Sequence, residues 1–481
     1  MGEVYTPDWL AAHALDELGW TPDDDLLDPT CGTGTFLLEA LKRRLINGQG
    51  NKRATSATEA LAGIYGIDLN PLAVLAAKAS IVVVLASRLR PEQPITLPIY
   101  LADAINSADP SADGFFIHVL QTELGNRRFE VPAGLVRSSH LYPIFDRLRH
   151  LINAGVDAPA IMKAIAPELA PLRLTHEVTD RFAKTVETLN DLHKQEWDGI
   201  WCPILADRFA AGAIPRVSHI AGNPPWVKWS HLPPAYAAFI KPMCQAMNVF
   251  SRDRYVGGIE SDISTVITFQ AVMKWLAPLG RLAFFITATV FANESSQGFR
   301  RFARHDGTPI AGILAVEDYK AVAPFEEVTN HPALLIVREG EATRYPVPYK
   351  IWTPGTAAQP ESGFVDGREF RAATQHRDLL ARPVPGSDAG PWLKGTKAEH
   401  AIWANLFDAG QQAHYTARKG ITTDLNGVYF VRTEAGPNGR VWVTNDPSVG
   451  RKDDLPQLRR QIEAEHVFPL MRGRGLKPFH A

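Results

Sequence analysis

The chain has 481 residues, 45% of them hydrophobic and 21% charged, too long for one ordinary core and too apolar for a disordered chain, so two or three globular domains are expected. Lysine and arginine number 50 against 52 acidic residues, which excludes a polycation and leaves any nucleic-acid surface to local asymmetry. Three scattered cysteines, Cys31, Cys202 and Cys244, exclude a disulfide framework or a zinc site and fit a reducing cytoplasm, with no metal expected.

The opening residues lack a charged segment followed by an apolar run, so no signal peptide is read. Residues 8–18 place Trp9, Leu10, Ala14, Leu15 and Leu18 on one side and Asp16 and Glu17 on the other, which predicts a first helix. Two strand–turn–helix units follow: Leu26-Leu27, a glycine-rich turn and a helix over 36–45, then a strand 64–67 ending in Asp68 and a helix opening at Asn70-Pro71. The apolar stretch 72–89 carries Lys78 and two serines and reads as a buried core helix, with no membrane partner. A third strand, 99–101, ends before Asp103. Alternating strands and helices imply an α/β doubly wound parallel sheet, with Asp28, Asp68 and Asp103 at the carboxyl ends of strands, where ligands bind.

Residues 106–216 read as a helical insertion, with helices over 141–154 and 175–195. Sheet signals return at 219–221, 281–286, 310–316 and 333–337. Beyond 350, glycine and proline rise and short strand-like pieces at 428–431 and 441–443 suggest a separate C-terminal domain. The expected division is 1–105, 106–216, 217–349 and 350–481.

In Asp28-Pro29-Thr30-Cys31-Gly32-Thr33-Gly34-Thr35-Phe36 the small residues let backbone approach a ligand, while the lysine of a phosphate loop is missing, so a polar ligand without a triphosphate is expected. Asp68 suits a ribose diol and Asp103 an exocyclic amine, with Ile67 and Leu69 as apolar walls, although each acid is equally suited to capping the following helix. In Asn223-Pro224-Pro225-Trp226 two prolines stiffen a loop of carbonyls beside an amide and a large ring. The amine of a purine is a poor nucleophile that must be oriented towards its electrophile. The Asn223 side-chain oxygen and the Pro224 carbonyl are the two acceptors suited to hold it, with Trp226 stacking on the ring.

This order of segments resembles the gamma-class N6-adenine DNA methyltransferases, and most closely the methyltransferase modules of bacterial restriction-modification and phage-defence systems. The similarity covers most of residues 1–340. Tyr5-Thr6-Pro7 looks like the family's N-terminal cofactor motif, Asp28 to Phe36 its glycine-rich motif with Gly32 and Gly34, Asp68 with Leu69 its ribose site, and Asp103 with Ala104 its adenine site. Asn223-Pro224-Pro225-Trp226 matches the catalytic tetrapeptide, with tryptophan where tyrosine or phenylalanine is commoner, and Phe325 stands where a second base-stacking ring is sought.

The resemblance implies a Rossmann-like S-adenosylmethionine-dependent sheet with a C-terminal α+β recognition-like domain, and methyl transfer to N6 of an adenine flipped out of double-stranded DNA. The tail resembles a target-recognition region that stops early. A separate specificity or defence-system subunit is therefore expected as a partner, with Arg459, Arg460, Arg472, Arg474 and Lys477 as candidate DNA contacts. Methylation of RNA adenine or of a protein glutamine, and a non-catalytic DNA-binding subunit, are the competing readings.

Overall fold

A computed structural model describes residues 5–46, 54–90, 92, 95–122, 125–194, 200–250, 262–325, 330–355, 364–408, 425–450 and 455–470. They divide into two compact units, 1–408 and 409–481.

The first unit opens with α1 (Asp8–Leu18), β1 (Leu26–Asp28), α2 (Thr35–Leu45), α3 (Ala57–Leu61), β2 (Ile64–Asp68), α4 (Pro71–Leu85) and β3 (Ile99–Leu101). Local chemistry sets these boundaries. Gly19 ends α1 in the left-handed region at φ 76°. Pro71 occupies the first turn of α4, and the Asn70 side chain accepts the Leu72 N–H at 3.0 Å.

Residues 106–216 form β4 (Asp109–Pro110), β5 (Phe115–Thr122), β6 (Gly125–Pro132), α5 (Ala133–Val136), α6 (Leu141–Asn153), α7 (Ala158–Leu169), α8 (His176–Lys194) and α9 (Trp201–Gly212). Helices α5 to α9 make up most of this insertion, as expected, and it also carries a hairpin that was not: β5 and β6 pair antiparallel along their length in a small sheet. Phe116 and Phe129 of that hairpin share a core of their own with Phe145, Phe182 and Phe209 from the helices. The insertion guards the β3 edge of the main sheet, because Asp207 of α9 accepts the Leu101 N–H at 3.0 Å.

The chain continues through β7 (Val217–Gly222), α10 (Pro234–Ala246), α11 (Ile263–Trp275), β8 (Leu276–Thr287), α12 (Gln297–Arg301), β9 (Ala311–Asp318), β10 (Pro332–Glu339), β11 (Val347–Pro354), α13 (Gly367–Ala373), β12 (Thr374–Pro383), β13 (Trp392–Gly395) and α14 (Lys397–Asp408). One sheet results, in the order β13-β12-β11-β9-β10-β8-β7-β1-β2-β3. From β3 to β8 every neighbouring pair is parallel, and β10 is inserted antiparallel between β8 and β9. Leu26 and Leu27 point into different cores, as do Phe285 and Phe284. Both faces of the sheet are therefore covered, as a doubly wound Rossmann-like α/β fold requires.

Two expectations fail here. The boundary at 350 falls inside β11, which pairs parallel with β9 and carries β12 and β13 into the same sheet. Glycine and proline in this stretch mark turns between strands of the same sheet rather than a linker. Helix α4 is only half-buried: Ala73, Val74, Ala77 and Ile81 face the core, whereas Leu72 is 74% and Val83 73% exposed. Residues 71–88 are long and apolar enough to cross a membrane by length and composition alone. Being apolar all round, the helix offered no sequence signal of which face is buried.

In the second unit α15 (Asn426–Tyr429), where a strand was expected, precedes a three-stranded antiparallel sheet of β14 (Val431–Ala435), β15 (Arg440–Asn445) and β16 (Arg459–Glu463). Arg459 and Arg460 are adjacent in β16 and so leave opposite faces of the sheet. The Arg459 guanidinium lies over the Trp442 ring at 4.6 Å and pairs with Glu434. Arg472, Arg474 and Lys477 lie outside the described residues.

Candidate active site

The chain leaves β1 for β2 on one side and later places β7 on the other. The gap between the carboxyl ends of β1 and β7 is thus a topological switch point, where open α/β sheets bind ligands. Two adjoining cavities lie there. The larger, of about 250 Å³, is lined by Tyr5, Gly32, Asp68, Leu69, Asp103, Ala104, Asn223 and Pro225, with Tyr236, Ile263 and Ile267 among its further walls. The smaller, of about 40 Å³, is lined by Tyr5, Thr6, Asp28, Gly32, Phe36 and Asn223 among others.

The turn after β1 is built for close approach. Gly32 and Gly34 have φ values of 52° and 91°, and a side chain at Gly32 would meet no atom within 4 Å, so this backbone faces open space. Gly34 opens α2 and packs against Ala77 of α4; it shapes the turn without lining either cavity. The Cys31 N–H donates to the Ile67 carbonyl at 2.8 Å and the Gly32 N–H to Asp68 Oδ2 at 2.8 Å. Asp68 Oδ1 accepts the Asn70 N–H at 2.8 Å. Asp68 therefore ties the turn to β2 and also lines the larger cavity, while the side-chain cap of α4 comes from Asn70.

Asp28 is 1% exposed and accepts the Thr30 N–H at 3.1 Å. Burial pushes its carboxyl well above the usual range; the Thr30 N–H opposes this and the Asp68 charge adds to it. A side chain at Gly222 would stand 2.5 Å from Asp28 Oδ1. Glycine is thus required where β7 passes the acid. Burial also drives the Cys31 thiol well above its ordinary value, so it is no nucleophile.

Asp103, 8% exposed, spends Oδ1 on the Ile105 N–H and Oδ2 on the Tyr236 hydroxyl, both at 2.8 Å. Burial, then the neighbouring Asp103 charge, holds the Tyr236 phenol well above its ordinary value, so it remains a donor. Ile67, expected as an apolar wall, is fully buried in the sheet core. Ile105, Ile263 and Ile267 supply the apolar surface instead. Tyr236, Ile263 and Ile267 were missed by the sequence reading, because they come from α10 and α11, far along the chain and without a local motif.

In the loop after β7, Asn223 lines both cavities and Pro225 the larger, while Pro224 is buried. Trp226 lines neither. It is 6% exposed, donates its indole N–H to the Phe285 carbonyl at 3.0 Å, and meets Phe325 edge-on with ring centroids 5.1 Å apart and planes at 88°. A sandwiched base needs two parallel rings with a slot between them, and these two rings fill each other's space. Pro7 starts α1, its carbonyl accepting the Leu10 and Ala11 N–H groups.

Residues 8–83 match the UPF0020 family model, described as an RMKL-like methyltransferase domain. No curated protein matches the sequence. Among solved structures, a modification subunit of a putative type I restriction enzyme from Vibrio vulnificus is 12% identical with a TM-score of 0.40, over 82% of this chain and 59% of its own. The EcoKI M protein of a type I restriction enzyme is 10% identical with a TM-score of 0.40, over 86% and 75%. The Type ISP restriction-modification enzyme LlaBIII bound to DNA is 12% identical with a TM-score of 0.42, over 82% and 23%. The chain therefore spans less than two thirds of the Vibrio protein and of LlaBIII. The family match falls on the strand–helix units that build the glycine-rich turn and Asp68, within a sheet of Rossmann-like α/β fold.

Proposed function

We propose that this chain transfers the methyl group of S-adenosylmethionine to N6 of an adenine flipped out of double-stranded DNA, within a bacterial restriction-modification or phage-defence system. One observation carries the reading: Asn223, the only amide among the residues forming the tetrapeptide loop, borders both the large apolar cavity and the small polar one. The nucleoside of the cofactor fits the large cavity between Asp68 and Asp103. Its polar amino-acid end fits the small one, where Asp28 and Thr6 offer acceptors. A base arriving at Asn223 then meets the sulfonium carbon.

The Asn223 side-chain oxygen and the Pro224 carbonyl take the two N–H bonds of the amine and leave its lone pair directed at the methyl group. The bond from nitrogen to methyl forms as the bond from sulfur breaks, leaving S-adenosylhomocysteine and a proton released from the nitrogen. Stacking of the base on Trp226 requires its edge contact with Phe325 to open, an element of induced fit consistent with substrate-driven assembly of a site. A separate subunit supplies much of the target specificity, and Arg459 contributes a phosphate contact from its face of the β14–β16 sheet.

Labelled methyl transfer from S-adenosylmethionine to duplex DNA, single-stranded RNA and a glutamine-bearing release factor tests the reading. Label in DNA, recovered as N6-methyladenine, is expected. Label in RNA or protein alone overturns it.

A further inference from the structure

The purine end of the larger cavity holds a pairing that no motif announced. Tyr236 stands in the first turn of α10, half-buried, and lines the cavity beside Asp103. Its hydroxyl proton is committed to Asp103 Oδ2 at 2.8 Å. What the phenol turns to the cavity is therefore acceptor capacity only. Asp103 Oδ1 is held by its own loop through the Ile105 N–H at 2.8 Å, so the carboxylate cannot swing away. Arg208 of α9 interacts electrostatically with both groups; its charge draws the phenol downward, but burial and the Asp103 charge outweigh it and the hydroxyl keeps its proton.

We propose that Tyr236 determines purine specificity by joining Asp103 in a two-oxygen acceptor that admits an exocyclic N–H and rejects an exocyclic oxo group. The hydroxyl proton lies between these two oxygens, 2.8 Å apart, so an exocyclic N–H is accepted by a lone pair that either oxygen turns to the cavity. An oxo oxygen placed there sets its lone pairs against two acceptors and finds no donor, the kind of mismatch on which a polar site discriminates most strongly. The inference rests on the cavity being the cofactor site, and it assigns to this chain a selectivity for adenine over hypoxanthine nucleosides.

Calorimetric titration of the full chain with S-adenosylhomocysteine and with its deaminated counterpart, S-inosylhomocysteine, tests it. The wild type is expected to bind the first and to bind the second at least about tenfold more weakly, one charge-assisted hydrogen bond being worth that factor. Tyr236→Phe removes only the hydroxyl. It is expected to weaken the adenine ligand about tenfold while leaving the hypoxanthine ligand unchanged. Asp103→Asn, whose amide can donate to an oxo group, is expected to shift preference towards the hypoxanthine ligand. Equal affinities of wild type and Tyr236→Phe for both ligands, or an equal loss for both, overturns the assignment of Tyr236 while the cofactor reading stands. A wild type that binds neither ligand overturns the cofactor reading together with it.

Discussion

Two buried carboxylates in one sheet are treated in opposite ways. Glu317 on β9, 2% exposed, accepts from the Tyr319 hydroxyl at 2.8 Å, the Trp352 indole at 2.8 Å, His13 Nε2 at 3.0 Å, and the Lys350 ammonium. Burial raises its affinity for a proton, but His13 and Lys350 overcome this and hold it well below the usual range. Asp28 at the switch point is as deeply buried, yet its one described hydrogen bond is from the Thr30 N–H, and its affinity for a proton rises. His13, Glu17 and Glu317 stand close enough together to hold a cation, but the donors already fill Glu317. The saturated acid locks α1 to β9 and β11. The unsaturated one lines the small cavity, where the proposed cofactor would bring its cationic end.

The comparison can be broken first at the loop beside Asp28. Asn223→Ala is expected to lower methyl transfer at least about a hundredfold while leaving the dissociation constant for S-adenosylhomocysteine unchanged, since Asn223 acts only when the base arrives. Parallel loss of rate and cofactor affinity would give Asn223 a binding role instead. At the other carboxylate, Glu317→Ala removes the partner of His13 and Lys350 and is expected to cost about 3 kcal/mol in urea denaturation, the lower end for broken buried pairs because Lys350 is partly solvated. A loss under about 1 kcal/mol would make the network ornamental.

Gly222→Ala forces a methyl group against Asp28 Oδ1 and the Phe284 ring and is expected to cost about 1–3 kcal/mol. The smallest effect is expected from Asp28→Asn, which keeps the shape of the neutral acid and leaves stability at neutral pH unchanged or higher. The sign follows from linkage. The folded-state affinity of Asp28 for a proton is raised, so its contribution is present at acid pH and is lost as pH climbs from about 3.8 through the raised value. That of Glu317 is lowered, so its contribution is present above about 4.5 and is lost as pH falls below it. The stability advantage of Asp28→Asn over wild type should therefore grow with rising pH, whereas the deficit of a Glu317→Gln variant should shrink towards acid. Urea midpoints from about pH 2 to 8 check both slopes.

The two regions also differed in how far they could be read from sequence. At the switch point the turn glycines, the strand-end acids and the Asn223 loop are local signals, so β1, β2, β3 and β7 with the turns that follow them were legible. The far edge of the sheet was not. β11, β12 and β13 join it through pairings across long loops, and their glycine- and proline-rich turns read as a separate domain. The β5–β6 hairpin was missed although Phe115 to Thr122 is rich in residues that favour strands and Gly125 turns at φ 104°. Beside the site, Trp226 was legible as part of the tetrapeptide but not in its buried orientation, because packing against Phe285 and Phe325 fixes the ring. Tyr236 carried no motif at all, since its partner Asp103 lies 133 positions away.

Single-molecule sequencing of DNA from cells with this gene, without it, and with its Asn223→Ala variant tests the proposed chemistry most directly. N6-methyladenine at a defined motif in the first cells and in neither of the others is the result predicted. Adenine modification that is absent from all three, or that persists in the variant, would contradict it.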